Sequence, residues 1–352
     1  MKQKSFVREG VRQLAPYVCA RDLYKEAEIF MDANENAFGS TAEFKGVPLN
    51  RYPDSDAIAL RKALAEYLGE TLSPDNVLVG NGSDEIIDLC IRACAERGDN
   101  IVCVEPGYSM FDVCASVEGV NVKRVRVEAN LQPDVAKVLA AVDGRTRMIV
   151  VVSPNSPLGN VVDESRIREI ARQAPCTVFV DEAYGEFAER TLAALVLEYP
   201  NLVVSKTLSK AWGLAGIRVG YVAADASFIN GIRRIKPPYN VNAISMSVAL
   251  EALKNKEKMV QYLRLMREEK GVLEAKLRNR GLEVFDTKTN FTVFRLPIKW
   301  KSKEIQRSIA AKGIIVRDRS SIPLMDNCIR ITIGTSEENR RLLAELDEVL
   351  DS

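Results

Sequence analysis

The apolar positions of this chain follow two periodicities that alternate along most of its length. Near-continuous runs of Val, Ile and Leu, such as MIVVVS and TVFVD, have the length and β-branching of strands covered on both faces. They predict strands at 76–80, 100–104, 122–127, 147–152, 176–180, 201–205 and 217–223. Between them, apolar residues recur at helical spacing near 84–96, 109–118, 133–141, 164–173 and 191–198, after a first helical stretch beginning near Ala57. Regular alternation of this kind predicts an α/β three-layer sandwich with a mostly parallel sheet. Beyond KPPYN at 236–240 the pattern changes to a long helical run at about 242–279, the strand NFTVFRL, a helix near 302–312, the strands IIVRD and CIRITIG, and a closing helix. That change marks a smaller C-terminal α+β domain. The expected division is an N-terminal arm over 1–55, draped in part over a partner subunit, a large domain over 56–240 and a small domain over 241–352.

Length and charge narrow the class. At 352 residues the chain fits one large and one small core, and 49 basic against 48 acidic residues leave a net charge of +1. No basic block with interleaved aromatics stands out, so a nucleic-acid partner is not expected. No apolar run has the length of a membrane span, and the opening MKQKSFVREGVRQLAPY lacks the apolar core of a signal peptide, so a cytoplasmic protein is expected. The seven cysteines (Cys19, Cys90, Cys94, Cys103, Cys114, Cys176 and Cys328) form no CxxC pair and read as reduced core residues. The count of histidines is 0, which excludes Ser-His-Asp and Cys-His nucleophile systems and most zinc chemistry. Proton transfer must fall to lysine, tyrosine or a carboxylate.

Ligands of open α/β sheets collect at the carboxyl ends of the strands, and those ends are polar here. After NVLVG comes NGSDE, which places Asn81, Gly82 and Ser83 at a helix N-terminus with Asp84 and Glu85 in its first turn. Such a turn serves as a phosphate cup or as an ordinary N-cap. EPGYSMF projects Tyr108, either to cover a helix or to stack on a flat ring. PNSPLGN offers Asn155 and Ser156. In VDEAYGEF, Asp181 ends an apolar strand and Tyr184 follows it; a carboxylate in that position requires a cation, from the protein or from a ligand. Last comes NLVVSKTLSKAWGLAGIRVGYVA at 201–223, an apolar strand, a polar strand-to-helix turn with Thr207, Ser209 and Lys210, and a second strand led by Arg218. A lysine amine forms imines with aldehydes when deprotonated, which a nearby cation or desolvation favours, and a guanidinium fork matches phosphate oxygens. Together these groups suit pyridoxal 5′-phosphate, which carries a phosphate, a planar ring, a phenolic oxygen, a ring nitrogen and an aldehyde.

The stretches LAPYVCARD, DANEN, NRYPD, GNGSDEIIDL, EPGYSMF, DEAYGEF, TLSKAWGLAGIRVGY and CIRITIGT resemble those of fold-type I pyridoxal-phosphate aminotransferases, in particular the histidinol-phosphate aminotransferase family. The resemblance implies that Lys210 holds the cofactor and moves the substrate proton, that Asp181 keeps the ring nitrogen protonated, that Tyr184 bonds the phenolic oxygen and that Tyr108 stacks on the ring. It implies a phosphate seat of Gly82, Ser83, Ser209 and Arg218, with Asp84, Asn155, Ser156 and Thr207 completing the cofactor contacts. Tyr52 of NRYPD corresponds to the residue that reaches the neighbouring subunit's cofactor, which implies a homodimer with shared sites. Arg317 and Arg330 correspond to the arginines that grip substrate carboxylate and phosphate, with Tyr17, Asn34 and Asn290 nearby. The implied reaction exchanges an amino group between glutamate and the phosphorylated imidazole ketone of histidine synthesis; decarboxylases of the phosphothreonine type, aromatic aminotransferases and a non-catalytic regulator share the scaffold. Two motifs depart from the family: PNSPLG stands for PNNPTG, so Ser156 replaces asparagine and Leu158 threonine, and DANENAFG stands for DANENP.

Overall fold

A computed structural model describes residue 7 and residues 46–69 and 71–351. Most of the arm, with Tyr17, Cys19 and Asn34, therefore lies outside the described residues. Seven strands form the main sheet: β1 (Val77–Asn81), β2 (Asn100–Glu105), β3 (Asn121–Arg126), β4 (Thr146–Val152), β5 (Thr177–Asp181), β6 (Leu202–Thr207) and β7 (Val219–Ala224), in the order β1-β7-β6-β5-β4-β2-β3. Only β7 runs against its neighbours, pairing antiparallel with both β1 and β6. The carboxyl ends of β1, β2, β4, β5 and β6 thus share one edge of the sheet with the amino end of β7. This is the sandwich with a mostly parallel sheet that the strand pattern predicts.

Alternate residues of the same strands enter different cores. Val102, Val104, Ile149, Val151, Val178, Val180, Leu202 and Val204 pack on one face, while Ile101, Met148, Val150, Phe179 and Val203 pack on the other. Both faces are dry, which is why the strands read as continuous apolar runs rather than as alternating ones. Cys90 and Cys94 are buried in the second of these cores. One face is covered by α1 (Ile58–Leu68) and α5 (Glu164–Gln173), and the other by α2 (Ser83–Cys94), α3 (Met110–Glu118) and α6 (Ala226–Arg233); α4 (Val135–Ala140) packs beside α5.

The remainder builds a second sheet of β8 (Glu283–Val284), β9 (Phe291–Arg295), β10 (Arg317–Asp318) and β11 (Cys328–Thr332), in the antiparallel order β10-β11-β9-β8. Its own core, including Leu277, Phe294, Ile305, Ile329 and Leu343, lies against α9 (Ser302–Ala311) and α10 (Ser336–Asp351).

Three local expectations need correction. The long helical run is two helices, α7 (Ala243–Lys254) and α8 (Lys256–Asn279). They break at Asn255, whose side-chain amide donates to the Glu251 carbonyl (3.1 Å) and competes with the helical ladder. The segment 191–198 forms a 3₁₀ turn at Ala193–Leu197 rather than an α-helix. The turn after β6 leads not into a helix but through a 3₁₀ turn at Ala215–Ile217 into β7. No described helix is long and apolar enough to cross a membrane.

The reversed strand closes tightly on the turn after β1. Gly220 of β7 lies opposite Gly80 on one side and Thr207 on the other. A Cβ built on Gly220 would sit 2.3 Å from Ser83 N and 2.4 Å from the Gly82 carbonyl carbon, so only glycine fits without moving backbone. Gly220→Ala is expected to destabilise the protein by about 1–3 kcal/mol, the usual cost of overpacking, in denaturant unfolding. Gly216→Ala, at a position that faces open space, is expected to stay within about 0.5 kcal/mol of the parent.

Candidate active site

The order of the main sheet creates a crevice between β2 and β4, where the chain leaves β2 towards β3 on one side and returns to β4 on the other. A cavity of about 350 Å³ opens along this edge. Its large-sheet wall carries Ser83, Asp84, Tyr108, Ser156, Asp181, Tyr184, Thr207, Ser209, Lys210 and Arg218, and its opposite wall carries Arg317, Arg319 and Arg330 of the second sheet. Residues scattered over two thirds of the sequence converge because those of the large sheet end a strand or follow its end, or, for Arg218, precede the start of the reversed one, while Arg317 and Arg330 face the cavity from β10 and β11.

Asp181 closes β5 with only 3% of its surface exposed. One carboxylate oxygen accepts from Ser205 Oγ (2.9 Å) and from the Ala183 amide (3.1 Å); the other receives no hydrogen bond among the described residues. Burial pushes this carboxyl up to about 6, against the pull of the two donors. The cation expected beside Asp181 is thus not a protein side chain among the described residues. Lys210, on the same cavity, is exposed, and its amine lies 5.6 Å from the centre of the Tyr184 ring.

The Tyr184 ring is itself fixed edge-on against Phe291 of β9, with centroids 5.5 Å apart. Asp84, in the first turn of α2, accepts from Tyr108 Oη (2.9 Å) and pairs with Arg218 (3.3 Å), so one carboxylate orients both the ring and the guanidinium. Burial, followed by the charge of Asp84, raises the Tyr108 phenol and keeps it protonated as the donor. Arg218 has a left-handed backbone (φ 53°, ψ 55°), uncommon for a residue with a side chain, and its guanidinium lies where a Cβ on Gly82 would be, 2.5 Å from Nη2. Thr207 and Ser209 link their hydroxyls (3.0 Å) at the start of the Lys210 turn.

Four of the described site residues singled out in the sequence do not line the cavity: Gly82, which stands just behind Ser83 against the Arg218 guanidinium, and Asn155, Asn290 and Tyr52. Asn155 is buried and fully engaged: its amide donates to the Pro106 carbonyl (2.8 Å) and its oxygen accepts from the Leu158 amide (3.0 Å), which ties the loops on either side of the crevice together. Asn290 precedes β9, and its carbonyl accepts from the Ile333 amide. Tyr52, 49% exposed, stacks on Tyr239 with centroids 4.4 Å apart. Ser156 takes a hydrogen bond from Arg330 Nη1 (3.3 Å), so the substitution in PNSPLG leaves a link between the two sheets.

Two further groups escaped the sequence reading. Beneath the site, Lys206 of β6, 3% exposed, pairs with Glu186 (3.2 Å) and Glu182 (3.5 Å), and Tyr67 donates to Glu186 (3.2 Å). Burial opposes the Lys206 charge, but Glu186 and Glu182 outweigh it and hold the ammonium above its ordinary value. These charges clamp the loop after β5 to the strand that leads to Lys210. The other is Arg319, which the two-residue alternation of VRDRS puts on the same side as Arg317.

The family described as "Aminotransferase class I and II" matches residues 29–346. The histidinol-phosphate aminotransferase of Bacteroides thetaiotaomicron is 38% identical over 349 residues, covering 97% of each chain. That of Flavobacterium johnsoniae is 37% identical over 350 residues, with 97% of each chain covered. Among solved structures, the histidinol-phosphate aminotransferase of Sinorhizobium meliloti in complex with pyridoxal-5′-phosphate superposes with a TM-score of 0.78 at 25% identity, over 86% of this chain and 83% of the other. The chain belongs to the aminotransferase class I and II family and groups there with the histidinol-phosphate aminotransferases.

Proposed function

We propose that the chain is a pyridoxal 5′-phosphate-dependent aminotransferase of histidine biosynthesis, which exchanges an amino group between glutamate/2-oxoglutarate and histidinol phosphate/imidazole-acetol phosphate. The observation that carries this reading is the placement of Asp181 and Lys210 on one cavity. A buried carboxylate has no protein cation, and an exposed primary amine has no carboxylate, among the described residues. Relatives aligned along nearly the whole chain and named for this substrate support the substrate class.

The residues fit the cofactor. The Gly82–Ser83 turn, Ser209 and Arg218 would hold its phosphate, and its ring nitrogen, once protonated, would be the cation that the free oxygen of Asp181 lacks. When bound, it supplies an aldehyde that takes up amines and a ring that withdraws electrons from the adjoining carbon. Lys210 would attach it through Nζ and, when freed, would take a proton from the substrate carbon and return it. Asp181 would hold the ring proton, Tyr184 would donate to the phenolic oxygen, and Tyr108, fixed by Asp84, would lie against the ring and exclude water. Asn155 would act through the loops it ties, with Thr207 and Ser156 beside the site. Arg330 and Arg317 would bind the amino donor's carboxylate and the phosphorylated substrate's phosphate, with Tyr17 and Asn34 of the arm nearby, and Asn290, off the cavity wall, would act by anchoring the start of β9 through Ile333. The protein would be a cytoplasmic homodimer in which Tyr52, exposed on one face of its stack with Tyr239, serves the neighbouring site.

In the cofactor-loaded protein, glutamate should abolish the visible absorption band of the lysine-bound cofactor, and imidazole-acetol phosphate should restore it. Lys210→Ala should lower turnover by about 10²–10⁴-fold or more. Release of carbon dioxide in place of that exchange would favour the decarboxylase, and a band indifferent to every amino acid would favour a regulator.

Asp181 provides a second check, in protein stripped of cofactor. Its carboxyl is held at about 6 against an ordinary 3.8, so between these values the folded state binds more protons than the unfolded one. Stability conferred by the protonated group is therefore complete at low pH and is lost as pH rises from about 4 to 6, by up to about 3 kcal/mol. Asp181→Asn should remove this component, seen as the difference between parent and variant in urea unfolding across that range. A difference that does not change with pH would sink the assignment of Asp181 as a buried, unpaired carboxyl.

A further inference from the structure

The second sheet sends three guanidinium groups into the cavity, one more than a carboxylate and a phosphate seat require by one arginine each. Arg317 and Arg319 stand two residues apart on one extended stretch, and the Arg319 amide continues the ladder by donating to the Cys328 carbonyl (2.9 Å). Their side chains leave on the same face, while Asp318 between them turns the other way. There its carboxylate accepts from Ser302 Oγ (2.7 Å), the Ser320 amide (3.1 Å) and Ser320 Oγ (2.9 Å), so it forms no ion pair with its neighbours and only its charge, acting at a distance, favours the Arg319 cation. Arg330 lies directly across the ladder from Arg317.

The three are not equivalent. Arg330 is engaged with Ser156 and lies 5.0 Å over the Phe291 ring, and Arg317 is exposed. Arg319 is half-buried, and its Nε is enclosed without a hydrogen-bond partner. Burial, then the charges of Arg330 and Arg317, lower its proton affinity to about 10, which still leaves it charged in neutral solution. No carboxylate among the described residues pairs with any of the three. Like charges held together with an unsatisfied donor raise the free energy of the empty cleft, and an anion with more than one charge relieves it most.

We propose that Arg319 is a specificity-determining residue: with Arg317 it forms a two-guanidinium seat for the dianionic phosphoryl group of the substrate, leaving Arg330 for a carboxylate. The proposal rests on the reading that one substrate is phosphorylated. A single fork satisfies two oxygens of a carboxylate or a phosphoryl group alike, whereas a second fork finds a further oxygen and a second charge only on the phosphoryl group. The pair therefore discriminates by charge and by oxygen count.

The test compares the cofactor-loaded parent, Arg319→Gln and Arg319→Lys on histidinol phosphate, on histidinol and on glutamate, each as a separate half-reaction. In Arg319→Gln, kcat/KM for histidinol phosphate is expected to fall about 10–100-fold, chiefly through KM, as for loss of a charge-assisted hydrogen bond. Glutamate should be affected at least about tenfold less, so that the preference for histidinol phosphate over histidinol shrinks by about the same factor. Arg319→Lys, which keeps charge but not the fork, should fall between parent and Gln variant and decides the matter if the Gln variant does not fold. Equal losses on glutamate and histidinol phosphate, or an undiminished preference in both variants, would overturn the role of Arg319. A parent enzyme with no preference for the phosphorylated amine would instead overturn the underlying substrate reading, and this proposal with it.

Discussion

The site depends on one strand running the wrong way. In a fully parallel sheet the amino end of β7 would lie at the far edge, and Arg218 would be a strand length from Gly82 and Lys210. Reversal places Arg218 beside the N-terminus of α2, and the β6–β7 connection bends Lys210 back over the same edge. Gly220 makes this possible, since β7 packs against the Gly82–Ser83 backbone at a distance no other residue allows. The tight turn, the left-handed Arg218 and the helix N-terminus are therefore a single arrangement.

A second constraint is electrostatic. Lys206, Glu182 and Glu186 are buried together, and removing one member of such a cluster usually costs about 3–5 kcal/mol because it strands the others. These residues flank Asp181, Tyr184 and Lys210 in sequence, so the charges that would be most costly to expose also hold the two loops lining the cavity in register. Asp181 lies beside this cluster but outside it. Its neutral donors leave it able to respond to a cation arriving in the cavity, which a carboxylate already paired with Lys206 would not be.

Much of this was legible in the sequence, for identifiable reasons. MIVVVS and TVFVD read as buried strands because apolar runs report coverage on both faces, and strand ends mark the ligand edge in any open α/β sheet. Strand direction leaves no such trace, so the reversal of β7 was invisible and the Lys210 turn was expected to enter a helix. Burial of charge leaves none either: Lys206 and Glu186 look like surface residues until Tyr67 and each other are placed around them. Asn155 was legible as a residue of the crevice but not as one whose hydrogen bonds are all spent on backbone.

Arg319 shows how finer site detail can be present in the sequence and still be missed. IIVRD was read as a strand ending at Asp318 and carrying a single arginine, but in the structure the ladder has only two paired residues and continues through the amide of Arg319. That extra bond carries the two-residue alternation past Asp318 and brings a second guanidinium to the cavity face. The large sheet thus contributes groups suited to chemistry common to any amine, while the second sheet contributes an excess of positive charge that no carboxylate among the described residues pairs. Selectivity between substrates then resides where the chain is least regular, on a two-residue strand whose direction is set by Asp318 and Ser302 behind it.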